Sequence, residues 1–317
     1  MRLIFMGTPD IAAIILNKII ESGKHDVLCA VTQPDKPSGR GQEMHMSPVK
    51  EVALKNNISV LQPEKASNPE FISEIAEMKP DIIVVAAYGK ILKKALLDIP
   101  EYGCINVHAS LLPKYRGASP IQYAIINDEK VTGVTIMHMA EGLDTGDIIS
   151  SVEVPLSDKE TFGTLHDKMA YKGADLLIET LDEIAAGTAK RIPQDEKDAS
   201  YVSVITKQFG KIDFDTEAKK IECLVRALDP WPTAYTYING KMLKIWDADT
   251  VSDFNLKSVK KGTLPGTILK IDGKNIYVLC KNSVLKLNEV QLEGKKRMNT
   301  ADFLRGYKIA EGAVFGN

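Results

Sequence analysis

The amino-acid sequence predicts an α/β fold, in which a mostly parallel sheet with helices on both faces is followed by a small β-barrel. Short apolar runs alternate with helical segments through residues 1–187. Residues 188–206 are polar and lack apolar periodicity, whereas residues 207–317 contain short strands separated by glycine turns. We therefore expect a first domain at 1–187, a linker at 188–206 and a second domain at 207–317.

The chain begins with a buried strand and an amphipathic helix. Residues 2–6 (RLIFM) are mostly apolar, and Gly-Thr-Pro at 7–9 forms a turn into a helix that Gly23 ends. This turn lacks the Gly-x-Gly-x-x-Gly pattern of a dinucleotide site. The sequence therefore predicts a tight strand–helix turn, and we reject a nicotinamide-dependent enzyme.

Further apolar runs continue this pattern of strands and helices. They predict strands at 27–32, 81–89, 103–109, 133–139 and 148–156, with helices at about 69–78 and 161–186. Strands that are apolar along their whole length are buried on both faces, which is typical of parallel sheets between helix layers. The expected arrangement is Rossmann-like, and such sheets bind ligands beyond the carboxyl ends of their strands.

The last third of the chain has a different pattern of short strands and tight turns. A helix is predicted at about 216–228, and strands are predicted at about 234–238, 242–246, 263–271, 275–280 and 283–290. The dipeptides Asn-Gly at 239–240 and Asp-Gly at 272–273 are typical of hairpin turns. Strands of this length and spacing predict an OB-like barrel.

Charge is distributed unevenly, although the formal net charge is −2. Residues 1–206 contain 21 Lys and Arg against 29 Asp and Glu, a net charge of −8. Residues 207–317 contain 19 against 13, a net charge of +6. A basic C-terminal third points to a polyanionic partner, and a solvated lysine-rich surface is the alternative interpretation of the charge alone.

The cysteines predict a reducing compartment. Cys29, Cys104, Cys223 and Cys280 form no C-x-x-C pair, and none has a histidine at ligand spacing. Disulfides and a structural metal are therefore not expected. No apolar run reaches the roughly 18 residues of a membrane span. We expect a cytoplasmic, monomeric protein that binds neither a metal nor a membrane.

The segment NVHASLLP at 106–113 carries the strongest indication of chemistry. Asn106 and His108 occupy positions i and i+2 of a predicted strand, so their side chains point to one face near its carboxyl end. An amide donor beside an imidazole can polarise a carbonyl oxygen and stabilise an oxyanion. The imidazole can also carry a proton near neutral pH. A histidine in a sheet is more often structural, and the loop after His108 favours a functional role.

A carboxylate to orient this imidazole is predicted in the loop 140–147. Asp144 lies between Gly142 and Gly146 after an apolar strand, whereas the alternative, Asp147, lies where the next strand begins. No Gly-x-Ser-x-Gly nucleophile motif is present in the chain. Direct transfer between two bound substrates is therefore favoured over a covalent acyl-enzyme.

Two of these segments resemble the signature of a known family, the folate-dependent formyltransferases. They are NVHASLLPKYRGASPIQYAI at 106–125 and GLDTGDII at 142–149. The resemblance implies transfer of a formyl group from 10-formyltetrahydrofolate as co-substrate, with Asn106, His108 and Asp144 as the catalytic residues. It also implies folate contacts by Ser110, Leu111, Leu112 and Pro113, with the strand end 85–89 lining the pteridine pocket.

Three further segments resemble the members of this family that act on initiator methionyl-tRNA. The loop 33–50 contains Arg40, which would approach the acceptor end of the tRNA, and the other two segments are 228–236 and 292–309. The resemblance, together with the net charge of +6, favours contacts of Lys295, Lys296 and Arg297 with tRNA phosphates. Such contacts position a nucleic acid without reading its sequence.

Three other functions are weighed against this one. An N-formyltransferase for amino-sugar nucleotides would share the catalytic and folate residues but lack the Arg40 loop and the C-terminal tail. A formyltetrahydrofolate hydrolase would use water as its acceptor. A non-catalytic RNA-binding protein would have no need of Asn106, His108 and Asp144 together.

Overall fold

The computed structural model describes residues 1–38 and 43–316, and these form two compact units. The first unit contains Met1–Pro120, Lys130–Leu156 and Leu165–Ser203. The second contains Ile121–Glu129, Ser157–Thr164 and the chain from Val204. Most of the segment interpreted as a linker therefore belongs to the first unit. The predicted domain boundaries at 187 and 207 stay a prediction.

The first unit is built on a seven-stranded sheet with the order β10-β9-β7-β6-β1-β2-β5. The strands of the unit are β1 (Arg2–Gly7), β2 (Asp26–Val31), β3 (Lys36–Ser38), β4 (Glu43–His45), β5 (Ser59–Leu61), β6 (Ile82–Ala86), β7 (Cys104–His108), β8 (Arg116–Gly117), β9 (Val131–His138), β10 (Ile148–Pro155) and β11 (Tyr201–Val202). In the main sheet β1, β2, β5, β6 and β7 are parallel, and β9 and β10 are antiparallel to their neighbours. The mostly parallel sheet is therefore confirmed.

Helices cover both faces of this sheet. The helices up to residue 185 are α1 (Asp10–Ser22), α2 (Pro48–Lys55), α3 (Pro69–Glu77), α4 (Lys94–Leu97), α5 (Pro120–Ile126) and α6 (Phe162–Ala185). Side chains of α1, α2 and α6 pack with Leu3, Phe5 and Ile105 on one face, and those of α3 and α4 pack with Ile4 and Cys104 on the other. Among the described residues, no helix has the length and apolar character to cross a membrane.

Several regions differ from the sequence-based expectation, and two of them lie in the first half of the sheet unit. The strand predicted at 81–89 ends at Ala86, because Ala87 and Gly89 have positive φ angles of 45° and 74° and turn the chain. No element was predicted between residues 33 and 68, where the structure has β3, β4, α2 and β5. These elements have three to eight residues each, which is too short for a clear apolar period.

The second unit is an antiparallel β structure with two helices from residue 204 onward. Its elements are α7 (Ala218–Ala227), β12 (Ala234–Ile238), β13 (Lys241–Val251), β14 (Ile268–Ile271), β15 (Ile276–Cys280), β16 (Ser283–Leu292), β17 (Met298–Asn299) and α8 (Thr300–Gly306). The sheet has the order β12-β13-β16-β15-β14, with β17 paired to β16. Its buried core includes Leu243, Ile245, Leu285 and Leu287. An α/β fold followed by an antiparallel β unit is thus confirmed.

A buried ion pair lies on α7 in the second unit. Arg226 donates from Nε and Nη2 to the two carboxylate oxygens of Glu222, over 2.7 and 3.0 Å, and from Nη1 to the backbone oxygen of Glu160. The side chains of Arg226 and Glu222 are only 7% and 5% exposed. Burial is the strongest single influence and acts to raise the pKa of Glu222, but the bond from Arg226 and the charges of Arg226, Lys219 and Lys159 together outweigh it and lower the pKa.

Candidate active site

Strand β7 positions the two polar residues that the sequence singled out. It pairs with β6 on one side and β9 on the other, so the backbone around Asn106 is held by both neighbours. His108 is only 5% exposed and Asn106 is half-buried. Among the described residues, the Asn106 side chain has no hydrogen-bond partner. Its amide is therefore available to a bound molecule.

The two ring nitrogens of His108 have different neighbours. Nε2 lies 3.0 Å from the carbonyl oxygen of Tyr115. Because a carbonyl oxygen only accepts hydrogen bonds, Nε2 carries the proton in this contact. Tyr115 itself has a positive φ of 60°, in the left-handed region. Nδ1 lies 3.6 Å from Oδ2 of Asp144, so the imidazole is oriented from both sides.

Asp144 reaches the imidazole from the loop between β9 and β10. Its Oδ2 accepts a hydrogen bond of 2.8 Å from the backbone nitrogen of Gly117, and its side chain is 13% exposed. Asp147 has a different place, because its carbonyl oxygen accepts a hydrogen bond from the backbone nitrogen of His138 at the end of β9. The structure thus places Asp144, the favoured carboxylate of the sequence analysis, beside His108.

A glycine in this loop allows a close approach of the backbone. A Cβ atom built on Gly146 would lie 1.7 Å from the carbonyl oxygen of His138. Any side chain there would move the loop away from β9. The glycine that the sequence placed beside the acid is therefore required by the geometry.

The segment predicted to contact folate forms a tightly held loop after β7. Ser110 is fully buried, and its hydroxyl donates to the carbonyl oxygen of Lys114 over 2.6 Å. The hydroxyl of Thr135 donates to the Ser110 carbonyl oxygen and accepts from the backbone nitrogen of Leu112. Leu112 is 8% exposed, while Leu111 and Pro113 are half-buried. Contact of these four residues with folate stays a prediction.

The strand end at 85–89 offers little surface. Val85, Ala86 and Tyr88 are buried, and Ala87 and Gly89 are exposed. The two exposed residues carry almost no side chain, so a ligand at this turn would meet mainly backbone. The role of this segment in a pteridine pocket stays a prediction.

Sequence reasoning missed a group of polar residues centred on Arg116. This arginine is 0% exposed and donates two hydrogen bonds to the carboxylate of Glu196, over 2.8 and 3.0 Å. It also donates to the side chains of Gln194 and Tyr201. The partners lie 78 to 85 positions further along the chain. The one sequence signal for Arg116 was its place in the Arg-Gly dipeptide of the motif at 106–125.

Cys104 on β7 and His138 on β9 lie apart from the candidate catalytic residues. Burial raises the pKa of the Cys104 thiol to about 12, which keeps the thiol protonated and non-nucleophilic. Burial lowers the pKa of His138, which favours its neutral form. Both residues line a cavity of about 730 Å³, which Asn106, His108 and Asp144 do not line. Cys104 is therefore a buried core residue, at 3% exposure.

The predicted tRNA contacts differ in their surroundings. Lys295 and Lys296 are exposed, and neither has an ion pair with another described residue. Arg297 donates from Nε to Glu289 over 2.8 Å, and its guanidinium lies 4.6 Å from the centre of the Trp246 ring. Much of the charge of Arg297 is therefore offset. Arg40 lies outside the described residues.

Within residues 1–38 and 43–316, no group of three or more His, Cys, Asp or Glu side chains is arranged to hold a metal ion.

Comparisons with known proteins identify the family to which these features belong. Residues 1–181 match the formyl transferase family model, and residues 204–308 match the model of the formyl transferase C-terminal domain. A methionyl-tRNA formyltransferase of Lachnospira eligens is 50% identical, and one of Clostridioides difficile is 48% identical. Both alignments cover 100% of this chain and of the relative.

Solved structures share the fold at lower identity. An N-formyltransferase from Helicobacter canadensis, in complex with folinic acid and dTDP-3-aminofucose, is 21% identical with a TM-score of 0.66. The match covers 90% of this chain and 98% of that one. HypX from Aquifex aeolicus, in complex with tetrahydrofolic acid, is 16% identical with a TM-score of 0.61, over 96% of this chain and 47% of HypX. At these identities the likeness concerns the fold.

Proposed function

The chain belongs to the formyl transferase family, and we propose that it transfers the formyl group of 10-formyltetrahydrofolate to the amino group of initiator methionyl-tRNA. Identities of 48 to 50% across the whole of both chains support this acceptor. The product is the formylated methionyl-tRNA used to start translation. We therefore place the protein in the cytoplasm, where its tRNA substrate is made and used.

The observation that supports this proposal most directly is the arrangement at the end of β7. A half-buried amide without a partner among the described residues lies two positions from an imidazole, and a carboxylate lies 3.6 Å from that imidazole. A formyl oxygen needs a donor, and Asn106 offers one. The amine of the acceptor must lose a proton, and His108 with Asp144 can hold one.

Asn106 and His108 act on the formyl oxygen. The bound donor supplies a formyl carbon that an amine can attack. The Asn106 amide donates a hydrogen bond to the formyl oxygen, and a positive charge on His108 favours the negative charge that develops there. Because β6 and β9 fix the backbone of β7 on both sides, these groups need little rearrangement as the charge develops.

Asp144 acts on the imidazole and on protons. The Tyr115 carbonyl fixes the hydrogen on Nε2, so Nδ1 is the nitrogen that faces Asp144. The carboxylate stabilises the charged imidazole and orients the ring, and it can pass a proton from the attacking amine towards the leaving nitrogen. In this role Asp144 contributes to the acid–base part of the reaction.

Binding of the two substrates involves other parts of the chain. We assign the folate to the loop formed by Ser110, Leu111, Leu112 and Pro113. We assign tRNA phosphates to Lys295, Lys296 and Arg297, and the acceptor end of the tRNA to Arg40. Lys295 and Lys296 support this assignment best, because they have no ion pair with another described residue.

The test is formyl transfer from 10-formyltetrahydrofolate to methionyl-tRNA, with the wild-type protein and with His108→Ala. We expect transfer by the wild type only, with a loss of about a hundredfold or more in the variant. Circular dichroism and tRNA binding should be unchanged in His108→Ala. Normal turnover by this variant would refute the assigned site.

Two further arms distinguish the alternative functions. One arm omits tRNA, and the other replaces tRNA with an amino-sugar nucleotide. Folate turnover without an acceptor would show a hydrolase. Transfer to the sugar nucleotide, without transfer to methionyl-tRNA, would refute the proposed acceptor.

A further inference from the structure

Residues 192–202, which we call the strap, cross the first unit next to the Asp144 loop. At one end, Ile192 and Ile148 exchange two backbone hydrogen bonds of 2.8 and 2.9 Å. At the other end, Tyr201–Val202 pairs with Arg116–Gly117 as strands β11 and β8. Both ends of the strap are therefore tied to the strands that flank the candidate site.

Gln194 connects the strap to the loop that carries Asp144. Its Nε2 donates hydrogen bonds to the carbonyl oxygens of Asp144 and Gly146, over 2.9 and 2.7 Å. Its Oε1 accepts from Nε and Nη2 of Arg116, over 3.1 and 2.9 Å. Both amide hydrogens and the amide oxygen of Gln194 are thus used, and they join a fully buried arginine to the loop.

The loop needs such an attachment because of its backbone conformation. Asp144 has a φ of 53°, in the left-handed region that side chains other than glycine rarely adopt. Gly142 and Leu143 are exposed and offer the loop no buried anchor. The two N–H groups of the Gln194 amide donate to the carbonyl oxygens of Asp144 and Gly146, and these bonds stabilise the otherwise unfavourable turn.

The strap also reaches the carboxylate of Asp144 by a second route. The backbone nitrogen of Gly117, which donates to Oδ2 of Asp144, belongs to the strand that β11 pairs with. A Cβ atom on Gly117 would lie 2.3 Å from the carbonyl oxygen of Val202, so this pairing is close. The strap therefore holds both the backbone and the carboxylate of the same residue.

We propose that Gln194 is a positioning residue for the acid–base group, because its amide fixes the Asp144 loop so that the carboxylate faces His108. This inference rests on the proposed function and on the role of Asp144 in it. Gln194 itself touches no reacting atom. Its loss should therefore lower kcat and leave the binding of both substrates nearly unchanged.

The most selective change is Gln194→Glu, tested by steady-state formyl transfer. Glutamate has the same length and keeps an acceptor for Arg116, but it replaces the two donations to the loop by an oxygen that faces two carbonyl oxygens. We expect kcat to fall about tenfold to a hundredfold, within the roughly 10²–10⁴-fold that acid–base catalysis contributes. The KM of each substrate should change by less than about threefold.

A double-mutant cycle with Asp144→Asn separates positioning from general stability. If Gln194 acts through Asp144, then Gln194→Glu should lower kcat by no more than about twofold in the Asp144→Asn background. A loss of full size in that background would overturn the inference. Gln194→Met, which is neutral and of similar length, provides the same test if the glutamate variant does not fold.

Lys197→Ala is the matched control on the strap. Lys197 is exposed, and its side chain has no partner among the described residues, so kcat and the melting temperature should match the wild type. An inactive wild type would refute the proposed function itself. An active wild type, an impaired Asp144→Asn and fully active Gln194 variants would refute only the role of Gln194.

Discussion

Replacing Asp144 by asparagine removes one charge from the candidate site and changes little else. The amide oxygen of asparagine can still accept the hydrogen bond from the backbone nitrogen of Gly117. The negative charge 3.6 Å from Nδ1 of His108 is lost. The variant therefore tests whether this charge contributes to catalysis.

The magnitude follows from the distance and the burial of the two groups. Unit charges about 4 Å apart interact by about 4 kcal/mol at an effective dielectric constant of about 20. The side chains of His108 and Asp144 are 6% and 13% exposed, so water screens them little. If most of this energy is gained only as His108 becomes charged, kcat should fall by about 10²–10³-fold.

The assay is single-turnover formyl transfer to methionyl-tRNA, with Asp147→Asn as the matched control. Asp147 takes part through its backbone carbonyl, which the substitution leaves in place, so the control should retain wild-type kcat. A kcat for Asp144→Asn within about threefold of the wild type would refute the reasoning. An equal loss of kcat in Asp147→Asn would show that the effect depends on the total charge of the loop and not on the position of Asp144 beside His108.

Three other predictions concern binding, loop geometry and stability. Lys295→Glu with Lys296→Glu should raise the KM for tRNA several-fold and lower the slope of log KM against log salt by about two, because two phosphate contacts are lost. Gly146→Ala should lower kcat at least about tenfold in the transfer assay, because its Cβ would lie 1.7 Å from a backbone oxygen. Glu222→Gln should destabilise the protein by about 3 kcal/mol in urea at pH 7, because the buried Arg226 loses the carboxylate 2.7 Å from its Nε and keeps the more distant Asp128, at 3.7 Å. The lowered pKa of Glu222 means that its contribution is complete above about pH 4.5 and disappears as the pH falls further, so the variant and the wild type should converge in acid.

Each of these predictions has an outcome that contradicts it. If the double lysine variant leaves the salt slope unchanged, then Lys295 and Lys296 are solvated surface residues that do not contact tRNA phosphates. Normal kcat in Gly146→Ala would show that the loop can move without loss of function. A difference between Glu222→Gln and the wild type that does not shrink as the pH falls below the lowered pKa of Glu222 would show that the side chain contributes through packing and not through its charge.

The sequence was most informative about features that depend on a single strand, helix or loop. The alternation of apolar runs predicted the parallel sheet, and the i, i+2 spacing predicted that Asn106 and His108 share a strand face. The glycines on either side of Asp144 predicted a loop that could bring this carboxylate close to the imidazole. Each of these features is set by local periodicity or by backbone freedom, which a single sequence displays directly.

The sequence was least informative where partners are distant along the chain. The polar stretch after α6 was interpreted as a linker, because hydrogen-bonding side chains such as Gln194 and Glu196 leave no apolar period. Their partner, Arg116, precedes them by 78 to 80 positions. The positive φ of Tyr115 and the contact of its carbonyl with His108 likewise have no signature in residue type. Such contacts depend on tertiary structure.

The position of the strap in the chain has a consequence for how the protein is made. Gln194 is synthesised 50 residues after the Asp144 carbonyl that it binds. At elongation rates of about 5–20 residues per second, the ribosome needs about 3–10 s to cover that distance. When Asp144 is made, His108 and every strand of the main sheet except β10 have already been synthesised, whereas the acid still lacks its attachment. On the proposed role of Gln194, a nascent chain passes through a stage in which Asn106, His108 and Asp144 are present but not yet competent, and competence requires the residues after α6.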